Sequence, residues 1–336
     1  MPYPLSPTLI IGEAIVDIVT DHRGAQREHP GGSPANVALG LARLGHPIEF
    51  ATRIGADDNG VLILSHLGAN GVRFTEGTVT AERTSTATVT LDRQGRADYA
   101  FDMTWKLPDR TTELVRRRQP PYAHLHTGSI AAVLPPGAAQ VLEAVRAKRS
   151  SATISYDPNL RPALIGDPAD ERPKVEALVT ESDVVKVSDE DLAWLYPDVG
   201  ADEAAAAWLE LGPALVVLTR GAAGSRAFWR HGTCRIAPLP VKVVDTVGAG
   251  DAFMAGLISG LLRTGLLGDL DDTLPRPSGR VELLVATSTE SPSARITAAL
   301  ALAAHAAAVT CGRPGADPPT VAELPTDVTD VNQVLQ

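Results

Sequence analysis

Short runs of β-branched and aliphatic residues alternate with longer stretches rich in alanine and leucine through most of the chain. This alternation is typical of a parallel sheet covered by helices, because buried strands are short and apolar while the connecting helices are longer. We predict an α/β fold, a three-layer αβα sandwich with a mainly parallel central sheet. The predicted strands cover residues 9–12, 49–54, 124–128, 153–157, 184–188, 215–219 and 241–244.

The clearest predicted helix follows two adjacent glycines at positions 31 and 32. Ser33 is a suitable N-terminal cap, Pro34 suits the first helical position, and Gly45 provides a stop. The apolar stripe of this helix consists of Val37, Leu41 and Leu44.

Two segments interrupt the alternation, residues 14–28 and 83–101. The second has alternating threonines that lead into a turn at 92–95, which predicts an antiparallel hairpin. We predict that the two segments, extended to about 13–30 and 83–107, form a small β-sheet lid over the main sheet. An ordinary extension of the sheet edge is the alternative.

The lid segments are expected to be insertions in one domain of residues 1–320, followed by a C-terminal surface segment at 321–336. Residues 269–292 are polar and contain three prolines, so they are expected to be a surface insertion.

Composition and charge exclude several classes of protein. Hydrophobic residues make up 44% of the 336 positions, which is unlike disordered or fibrous chains. The net charge of -10 argues against nucleic acid and against anionic membrane surfaces as partners.

The two cysteines, Cys234 and Cys311, fit neither a disulfide framework nor a paired metal motif, so a reducing compartment is expected. The N-terminus has no basic region before its first short apolar run, and no apolar run approaches about 18 residues. We therefore expect a cytoplasmic protein.

Polar residues and glycines collect where the predicted strands end. In open α/β sheets, ligands bind in the crevice outside the carboxyl ends of the strands. Each residue alone has an equally ordinary interpretation as a cap or turn residue, and only their joint position favours a site. The set consists of Glu13, Asp17, Asp157, Asn159, Arg161, Ser188, Asp191, Thr219, Gly221 and Gly224.

The strongest local signal is DTVGAGDAFMAGL at 245–257, a loop with few side chains followed by apolar residues at helical spacing. Free N–H groups at a helix N-terminus, with the positive end of the dipole, form an anion site. Asp251 at its mouth has two interpretations. It accepts the proton of an attacking hydroxyl while the N–H groups stabilise a transferred phosphoryl group, or it only caps the helix.

This stretch resembles the C-terminal signature of the ribokinase-like carbohydrate kinases, also called the PfkB family. GGSPANVA at 31–38, with residues 41–45, resembles the N-terminal signature of the same family. Blocks at 12–17 (GEAIVD), 53–60 (RIGADDNG), 157–161 (DPNLR) and 218–224 (LTRGAAG) extend the resemblance from about residue 9 to 316. The blocks are most similar to fructokinases and 2-keto-3-deoxygluconate kinases. The resemblance implies a ribokinase-like fold and an ATP-dependent sugar kinase.

The resemblance also implies roles in phosphoryl transfer and sugar binding. Asp251 is the implied catalytic base, and Asn159 and Arg161 are implied to lie near the phosphates. The implied anion hole consists of Gly248, Ala249 and Gly250. The implied sugar contacts are Asp17, Gly31, Gly32, Asn36 and Asn159, with Tyr99 and Phe101 from the lid.

For the nucleotide and ions, the resemblance implies ATP with Mg²⁺, and a monovalent cation such as K⁺ in many family members. The implied nucleotide contacts are Ser188, Thr219, Gly221, Gly224, Ala304 and His305. Asp191 is implied for Mg²⁺, directly or through water, and backbone carbonyls near Asp245 and Val247 are implied for K⁺. Lid strands in this family often pair between subunits, so the resemblance implies that this protein forms a homodimer through the lid.

Two positions depart from the family pattern. The Asn-x-x-Glu element linked to Mg²⁺ and phosphate appears here as Ser-Asp-Glu-Asp at 188–191, which puts the metal contact in doubt. Near Ala304 the family often has a polar amide, and here the nearby polar ring is His305. A histidine in an alanine-rich helix is more often structural than a ligand, so both interpretations stay open.

Two other functions, a non-catalytic sensor and a nucleoside kinase, are alternatives to the sugar kinase. A P-loop and a dinucleotide-binding Gly-x-Gly-x-x-Gly after the first strand are both absent from the sequence. A non-catalytic sugar or nucleotide sensor would keep the fold without the chemistry. A nucleoside kinase would need a slot for a second base, for which Tyr99, Phe101 and Trp105 are the candidates.

A neutral ketohexose, fructose first, is preferred over an acid such as 2-keto-3-deoxygluconate. Asp17 is anionic and would repel an acceptor carboxylate unless a cation intervened. Lys106 and Arg96 are the candidate cations, and a solvated surface position is the simpler interpretation of both.

Overall fold

A computed structural model describes residues 7–20, 24–91, 97–116, 122–268 and 278–324. The strands are β1 (Thr8–Ile11), β2 (Ile15–Thr20), β3 (Gln26–Gly31), β4 (Ile48–Ala51), β5 (Ile54–Gly55), β6 (Arg73–Phe74), β7 (Val79–Thr80), β8 (Thr86–Leu91), β9 (Ala97–Asp102), β10 (His124–Gly128), β11 (Thr153–Asp157), β12 (Val184–Ser188), β13 (Leu215–Thr219), β14 (Ser225–Trp229) and β15 (Gly232–Ile236). The α-helices are α1 (Ser33–Arg43), α2 (Asp58–Ala69), α3 (Asp109–Arg116), α4 (Gly137–Lys148), α5 (Pro168–Glu181), α6 (Asp189–Leu195), α7 (Ala201–Ala207), α8 (Ala249–Arg263), α9 (Ser278–Ala286) and α10 (Ala294–Cys311).

Nine of these strands form the central sheet, in the order β15-β14-β13-β12-β11-β10-β1-β4-β6. The pairs from β13 to β6 are parallel, and β14 and β15 add an antiparallel edge. Along β1, Ile10 joins one hydrophobic core while Leu9 and Ile11 join the other. Successive side chains of a strand point to opposite faces, so helices and core cover both sides of the sheet. The predicted three-layer αβα fold is confirmed.

Six of the seven predicted strands are present, and those at 124–128, 153–157, 184–188 and 215–219 have the predicted ends. The strand predicted at 241–244 is wrong. Val243 and Val244 are 58% and 55% exposed, and residues 241–244 pair with none of the described strands. The composition of this run predicts a strand, but local β-propensity does not reveal whether a neighbouring strand is present to pair with it.

The smaller sheet is separate from the central one and has the strand order β3-β2-β8-β9. The pair β8–β9 is antiparallel, as the hairpin prediction required, and β2–β8 is parallel. An extension of the central sheet edge is therefore wrong for these strands. The turn predicted at 92–95 lies outside the described residues.

Both ends of the segment that carries the β8–β9 hairpin are tied to residues that follow β4. Arg53 is buried, and its Nη1 donates to the carbonyl of Arg83 at 3.0 Å while its Nη2 donates to the carbonyl of Thr104 at 2.7 Å. Asp57 Oδ1 accepts from the Thr84 hydroxyl at 2.6 Å. These bonds hold the entry and the exit of the β8–β9 hairpin on the same body of the protein.

The described part of the segment predicted as a surface insertion at 269–292 lies at the surface, and it packs on the body through a helix. Residues 278–286 form α9, in which Leu283 is fully buried. Arg280 Nε bonds Asp183 Oδ1 at 2.6 Å, and Trp229 Nε1 donates to the carbonyl of Thr289 at 2.7 Å. This segment is packed against the body through Leu283 and through the partly buried contact of Arg280 with Asp183.

Within the described residues one helix, α10, has the length and mean hydropathy, 18 residues and 1.4, of a membrane span. The core helix of a soluble protein passes the same test, and 56% of α10 is buried inside the protein. It packs closely on α8, because a Cβ on Gly260 would lie 2.5 Å from the Cα of Ala299 and one on Gly256 would lie 2.8 Å from the Cα of Ala303. Glycines at these two positions let the helices touch.

Three buried histidines bond hydroxyl groups beneath the sheet. His46 Nε2 lies 2.8 Å from Ser259 Oγ, and Ser155 Oγ lies 2.8 Å from His124 Nε2 and 2.9 Å from His126 Nδ1. Burial lowers the pKa of His46 to about 4 and that of His126 to about 3. The folded protein therefore holds these rings neutral through the mildly acidic range.

This predicts that acid removes stability through His46. Below the ordinary histidine pKa of about 6.5, the His46 imidazole binds a proton in the unfolded chain but stays neutral in the folded protein. The free energy of unfolding therefore falls as the pH drops toward 4. From pH 8 to pH 5 the parent should lose about 2 kcal/mol of unfolding free energy relative to His46→Gln. Urea unfolding at both pH values measures this. The exposed His231→Gln is the control, and an equal parent-to-variant difference at both pH values contradicts the prediction.

Candidate active site

The loop at 248–250 forms the N-terminus of α8, as the sequence predicts. Gly248 precedes the helix with φ of 75°, a left-handed conformation that favours glycine. A Cβ on Gly248 would lie 2.5 Å from the Cβ of Ala316, so the loop after α10 packs directly on Gly248. Ala249 N donates to the carbonyl of Thr246, and Ala252 N donates to that of Gly248. The amides of Gly250 and Asp251 lie between them, in the open first turn of the helix.

The Asp251 carboxylate is buried and contacts α1 rather than the end of its own helix. Ser33 Oγ donates to its Oδ1 at 2.6 Å, and Asn36 Nδ2 donates to its Oδ2 at 2.7 Å. Asn159 Nδ2 approaches Oδ1 at 3.3 Å. The N-terminal cap of α8 is Gly248, without a side-chain bond. The interpretation of Asp251 as a helix cap is therefore wrong.

Ser33 differs from its predicted role. The N-terminal cap of α1 is Gly32, with φ of 99° and without a side-chain cap bond, and Ser33 is the first helical residue. The Ser33 hydroxyl bonds Asp251 instead, across 218 positions of sequence. The local pattern of a serine before a helix predicts an N-terminal cap. In the folded protein, the carboxylate of a distant helix accepts the hydrogen bond of the Ser33 hydroxyl instead.

The implied sugar contacts Asp17, Gly31 and Asn36 lie around this carboxylate. A Cβ on Gly31 would be 2.2 Å from Oδ2 of Asp17, so glycine leaves room for that side chain. Partial burial raises the pKa of Asp17, as does the charge of Asp251, while Arg161 lowers it. These charges interact because β2, α8 and the loop after β11 meet at one edge of the sheet.

Asn159 links Arg161 to Asp251. Asn159 has φ of 39°, an unusual value for a residue other than glycine. Its Oδ1 accepts from Arg161 Nη1 at 2.7 Å while its Nδ2 points toward Asp251. The exposed Arg161 also donates to the carbonyls of Asn159 and Leu160 at 2.9 Å, so its guanidinium is folded back over this loop.

Ser188 and Asp191 form a capping box at the start of α6. The Ser188 hydroxyl accepts from Asp191 N at 3.0 Å and lies 2.7 Å from Asp191 Oδ2. Asp191 Oδ1 accepts from Leu160 N at 2.8 Å. Oδ1 of Asp191 therefore braces the loop that carries Asn159, while Oδ2 closes the capping box with Ser188. Across the described ranges, three or more histidine, cysteine, aspartate or glutamate side chains do not gather into a metal-binding group.

The implied nucleotide contacts fall into two groups. Thr219 ends β13 and its hydroxyl donates to the carbonyl of Val187 at 3.3 Å, while Gly221 and Gly224 turn the chain with φ of 48° and 83°. Ala304 is buried in α10, and His305 Nδ1 lies 2.9 Å from the carbonyl of Ala301, one turn earlier in that helix. This bond uses one ring nitrogen of His305 in a structural contact.

Asp245 organises the entrance to the loop at 248–250. Its carboxylate accepts from the amides of Val247 at 3.0 Å and Gly315 at 2.8 Å. These bonds lower the pKa of Asp245, so the group stays ionised. Its negative charge lies beside the backbone carbonyls that were implied for a monovalent cation.

The lid residues Tyr99 and Phe101 lie in β9, with backbone register opposite Val89 and Ala87. Phe101 is half-buried, and the side chain of Tyr99 is outside the described part of the structure. Lys106 is paired: its Nζ lies 2.9 Å from Glu82 Oε1.

Lys186, an ionisable residue near the site, was not among the predicted site residues, whereas Glu13 was in the predicted set without an assigned role. Lys186 is buried in β12 and its Nζ bonds Asp157 Oδ2 at 2.8 Å. Glu13 is buried after β1, accepts from Ala131 N at 3.2 Å, and burial raises its pKa to about 7. A lysine inside the apolar run at 184–187 was the available signal, because a buried charge requires a partner.

Comparison with known proteins agrees with this geometry. A family model described as pfkB family carbohydrate kinase matches residues 8–323. The chain belongs to this family of carbohydrate kinases. The kinase is 35% identical to a fructokinase from Klebsiella pneumoniae over 279 residues, which cover 79% of this chain and 88% of that protein.

Two solved structures share the kinase fold. A double-mutant fructokinase from Vibrio cholerae O395, in a form with bound fructose, ADP and potassium ion, has 26% identity and a TM-score of 0.73 over 100% of both chains. A ribokinase from Thermotoga maritima has 20% identity and a TM-score of 0.69, covering 98% of this chain and 100% of that one. The first is similar in sequence and fold, and the second shows the ribokinase-like fold. The chain is an ATP-dependent sugar kinase.

The contact between Gly31 and Asp17 gives a testable prediction. Gly31→Ala should push the Asp17 carboxylate aside and raise the KM for the sugar by roughly tenfold or more, since small misplacements of a binding group are costly. Steady-state kinetics on the parent and the variant measure the change. Gly68→Ala is the matched control, because a Cβ in that part of α2 meets nothing within 4 Å. If the KM stays within twofold of the parent value, Asp17 does not contact the sugar.

Proposed function

We propose that this kinase transfers the γ-phosphoryl group of ATP to a hydroxyl of fructose. One observation supports the catalytic part most strongly: Asp251 is a buried carboxylate at the mouth of α8, oriented by Ser33 and Asn36 of another helix. A carboxylate beside open N–H groups can remove a proton next to a phosphate site. The fructokinase relatives support fructose as the acceptor.

In the proposed reaction Asp251 is the general base. A carboxylate offers about four acceptor positions, and the bonds from Ser33, Asn36 and Asn159 leave about one for the attacking hydroxyl. As the hydroxyl oxygen bonds to the γ-phosphorus, its proton moves to Asp251 and the bond from phosphorus to the ADP oxygen breaks. The new sugar phosphate carries the transferred group.

The predicted anion hole at Gly248, Ala249 and Gly250 would stabilise charge on the transferred group mainly through the open amides of Gly250 and Asp251, because Ala249 N already donates to the carbonyl of Thr246. Arg161 and Asn159 would contact phosphate oxygens from the opposite loop, because guanidinium and amide groups suit that chemistry. For the nucleotide we propose contacts from Ser188, Thr219, Gly221, Gly224, Ala304 and His305. The sugar would bind among Asp17, Gly31, Gly32 and Asn36, with Tyr99 and Phe101 above it.

Mg²⁺ is the proposed metal, since it neutralises charge on the phosphates of ATP and is usually held by few protein ligands together with phosphates and waters. Both oxygens of Asp191 are already hydrogen-bonded, so contact through water suits this residue better than direct ligation. K⁺ is proposed at the carbonyls near Asp245 and Val247, supported by the ionised carboxylate beside them.

A neutral acceptor is supported by the pairing of Lys106. Its ammonium is 2.9 Å from Glu82, which also lies 3.2 Å from Arg53, so an acceptor carboxylate would have to compete with Glu82 for it. Arg96, the other candidate cation, lies outside the described residues. We also propose a cytoplasmic enzyme without nucleic-acid or membrane partners, and a homodimer through the smaller sheet.

We expect Asp251→Asn to lower kcat by roughly 10²- to 10⁴-fold, because the amide cannot accept the proton while the shape of the side chain is kept. Coupled ADP release measures kcat. ADP binding and the thermal melt should stay close to the parent values. Glu190→Gln, an exposed carboxylate-to-amide change, is the matched control. A kcat within about threefold of the parent removes Asp251 as the base.

For the acceptor, we expect kcat/KM to be highest for fructose among fructose, 2-keto-3-deoxygluconate, ribose and adenosine. Lys106→Ala should leave that order unchanged, because its charge is used by Glu82. Lys174→Ala is the control, since Lys174 is also half-exposed and paired with a glutamate. A tenfold preference for the acid that Lys106→Ala abolishes would show that the lysine binds a carboxylate. Turnover of none of the four, with ADP bound, would favour a sensor.

A further inference from the structure

Lys186 is an ammonium group in the middle of the central sheet. Its neighbours Val184, Val185 and Val187 are fully buried, and its own side chain is 4% exposed. Burying an isolated ammonium costs several kcal/mol even after relaxation. The position therefore requires a compensating interaction, and an apolar residue would have filled the strand at lower cost.

Asp157 compensates for this charge only in part. Its Oδ2 accepts from Lys186 Nζ at 2.8 Å, with both side chains buried. Its Oδ1 is also buried and finds no hydrogen-bond partner in the described part of the chain. Replacing a buried ion pair with apolar residues is often neutral or stabilising. The pair is therefore poorly explained by stability alone.

The position of the ammonium is more informative than its pairing. Lys186 Nζ lies 3.3 Å from the point that a Cβ on Gly250 would occupy. It is therefore directly beneath the first turn of α8. The N-terminus of a helix carries partial positive charge and favours anions, so a cation there has the wrong sign for helix stability. The arrangement is favourable when an anion binds above it.

We propose that Lys186 is a positioning residue for phosphoryl transfer: its charge, held by Asp157, adds a fixed positive potential beneath the loop at 248–250. This rests on the proposed kinase site, and it adds a residue that acts through the anion hole without touching the sugar. Charges of Asp157, Asp191 and Asp251 keep the ammonium protonated by raising its pKa against the effect of burial. The potential would favour the charge that develops on the transferred group.

The same geometry explains why position 250 is a glycine. A side chain there would press on the ammonium at 3.3 Å, which is closer than most Cβ contacts. On the other side of the strand, Val185 and Val187 belong to the opposite core, so Lys186 faces the layer that contains α8.

The central test compares the parent with Lys186→Met combined with Asp157→Asn, which removes both charges together. We expect kcat to fall about 10- to 100-fold, less than for loss of a direct oxyanion donor, while the sugar KM changes less than threefold. Binding of inorganic phosphate, measured by calorimetry without turnover, should weaken by a similar factor. A kcat and a phosphate affinity both within threefold of the parent would overturn the proposal.

A second variant, Asp157→Asn alone, covers the case in which the double variant does not fold. Without its partner the buried lysine should lose its proton more easily. The ratio of variant to parent kcat should therefore fall as the pH rises from 7 to 9, a range in which Asp157 of the parent is ionised, and adding Lys186→Met should abolish that pH dependence. A ratio that stays constant over this range would show that the lysine charge does not act on the reaction.

The phosphate titration also separates this proposal from the acceptor assignment. kcat is measured with whichever sugar the parent uses, so a preference for another sugar leaves the test intact. If the parent phosphorylates no sugar, the kinase proposal fails, while weakened phosphate binding in the double variant would still support a charged anion site.

Discussion

The contact between the first turns of α1 and α8 is the constraint on which the site depends. Ser33 and Asn36 reach Asp251 only because the two helices approach closely. Glycine makes this possible, since a Cβ on Gly40 would lie 2.7 Å from the Cβ of Ala255. On its other side α8 is held against α10 by Gly256 and Gly260. A larger residue in these contacts would move the carboxylate relative to its donors.

The second feature is the concentration of charge where the parallel strands end. Asp17 and Asp157 each interact with Asp251, and burial raises the pKa of Asp157 to about 6. Lys186 and Arg161 provide opposing charge from neighbouring strand ends. Such groups cost stability when they are buried together, and their survival at one edge of the sheet is typical of a functional site. The central sheet fixes where these charged side chains lie, and residues of the loops after its strands hydrogen-bond to them.

Several parts of this arrangement could be predicted from local pattern. The apolar runs at 124–128, 153–157, 184–188 and 215–219 are strands with the predicted ends, since each is buried on both faces. The run at 241–244 is also rich in β-branched residues and remains exposed, because pairing decides strand formation as much as propensity does. Ser33 was expected to cap α1 and instead bonds Asp251. Lys186 was predicted only as a strand residue, and its ion pair with Asp157 was not predicted.

The sequence by itself determined the family, the α/β alternation and the glycine loop with Asp251 beside it, because these depend on residues that are close along the chain. Only the tertiary structure decided what Asp251 contacts, which carboxylate pairs with Lys186, and that Oδ1 of Asp191 accepts from Leu160. These are contacts between residues about 30 to more than 200 positions apart. A side chain with several possible partners takes the one that packing brings within hydrogen-bond distance, and local pattern carries no record of that choice.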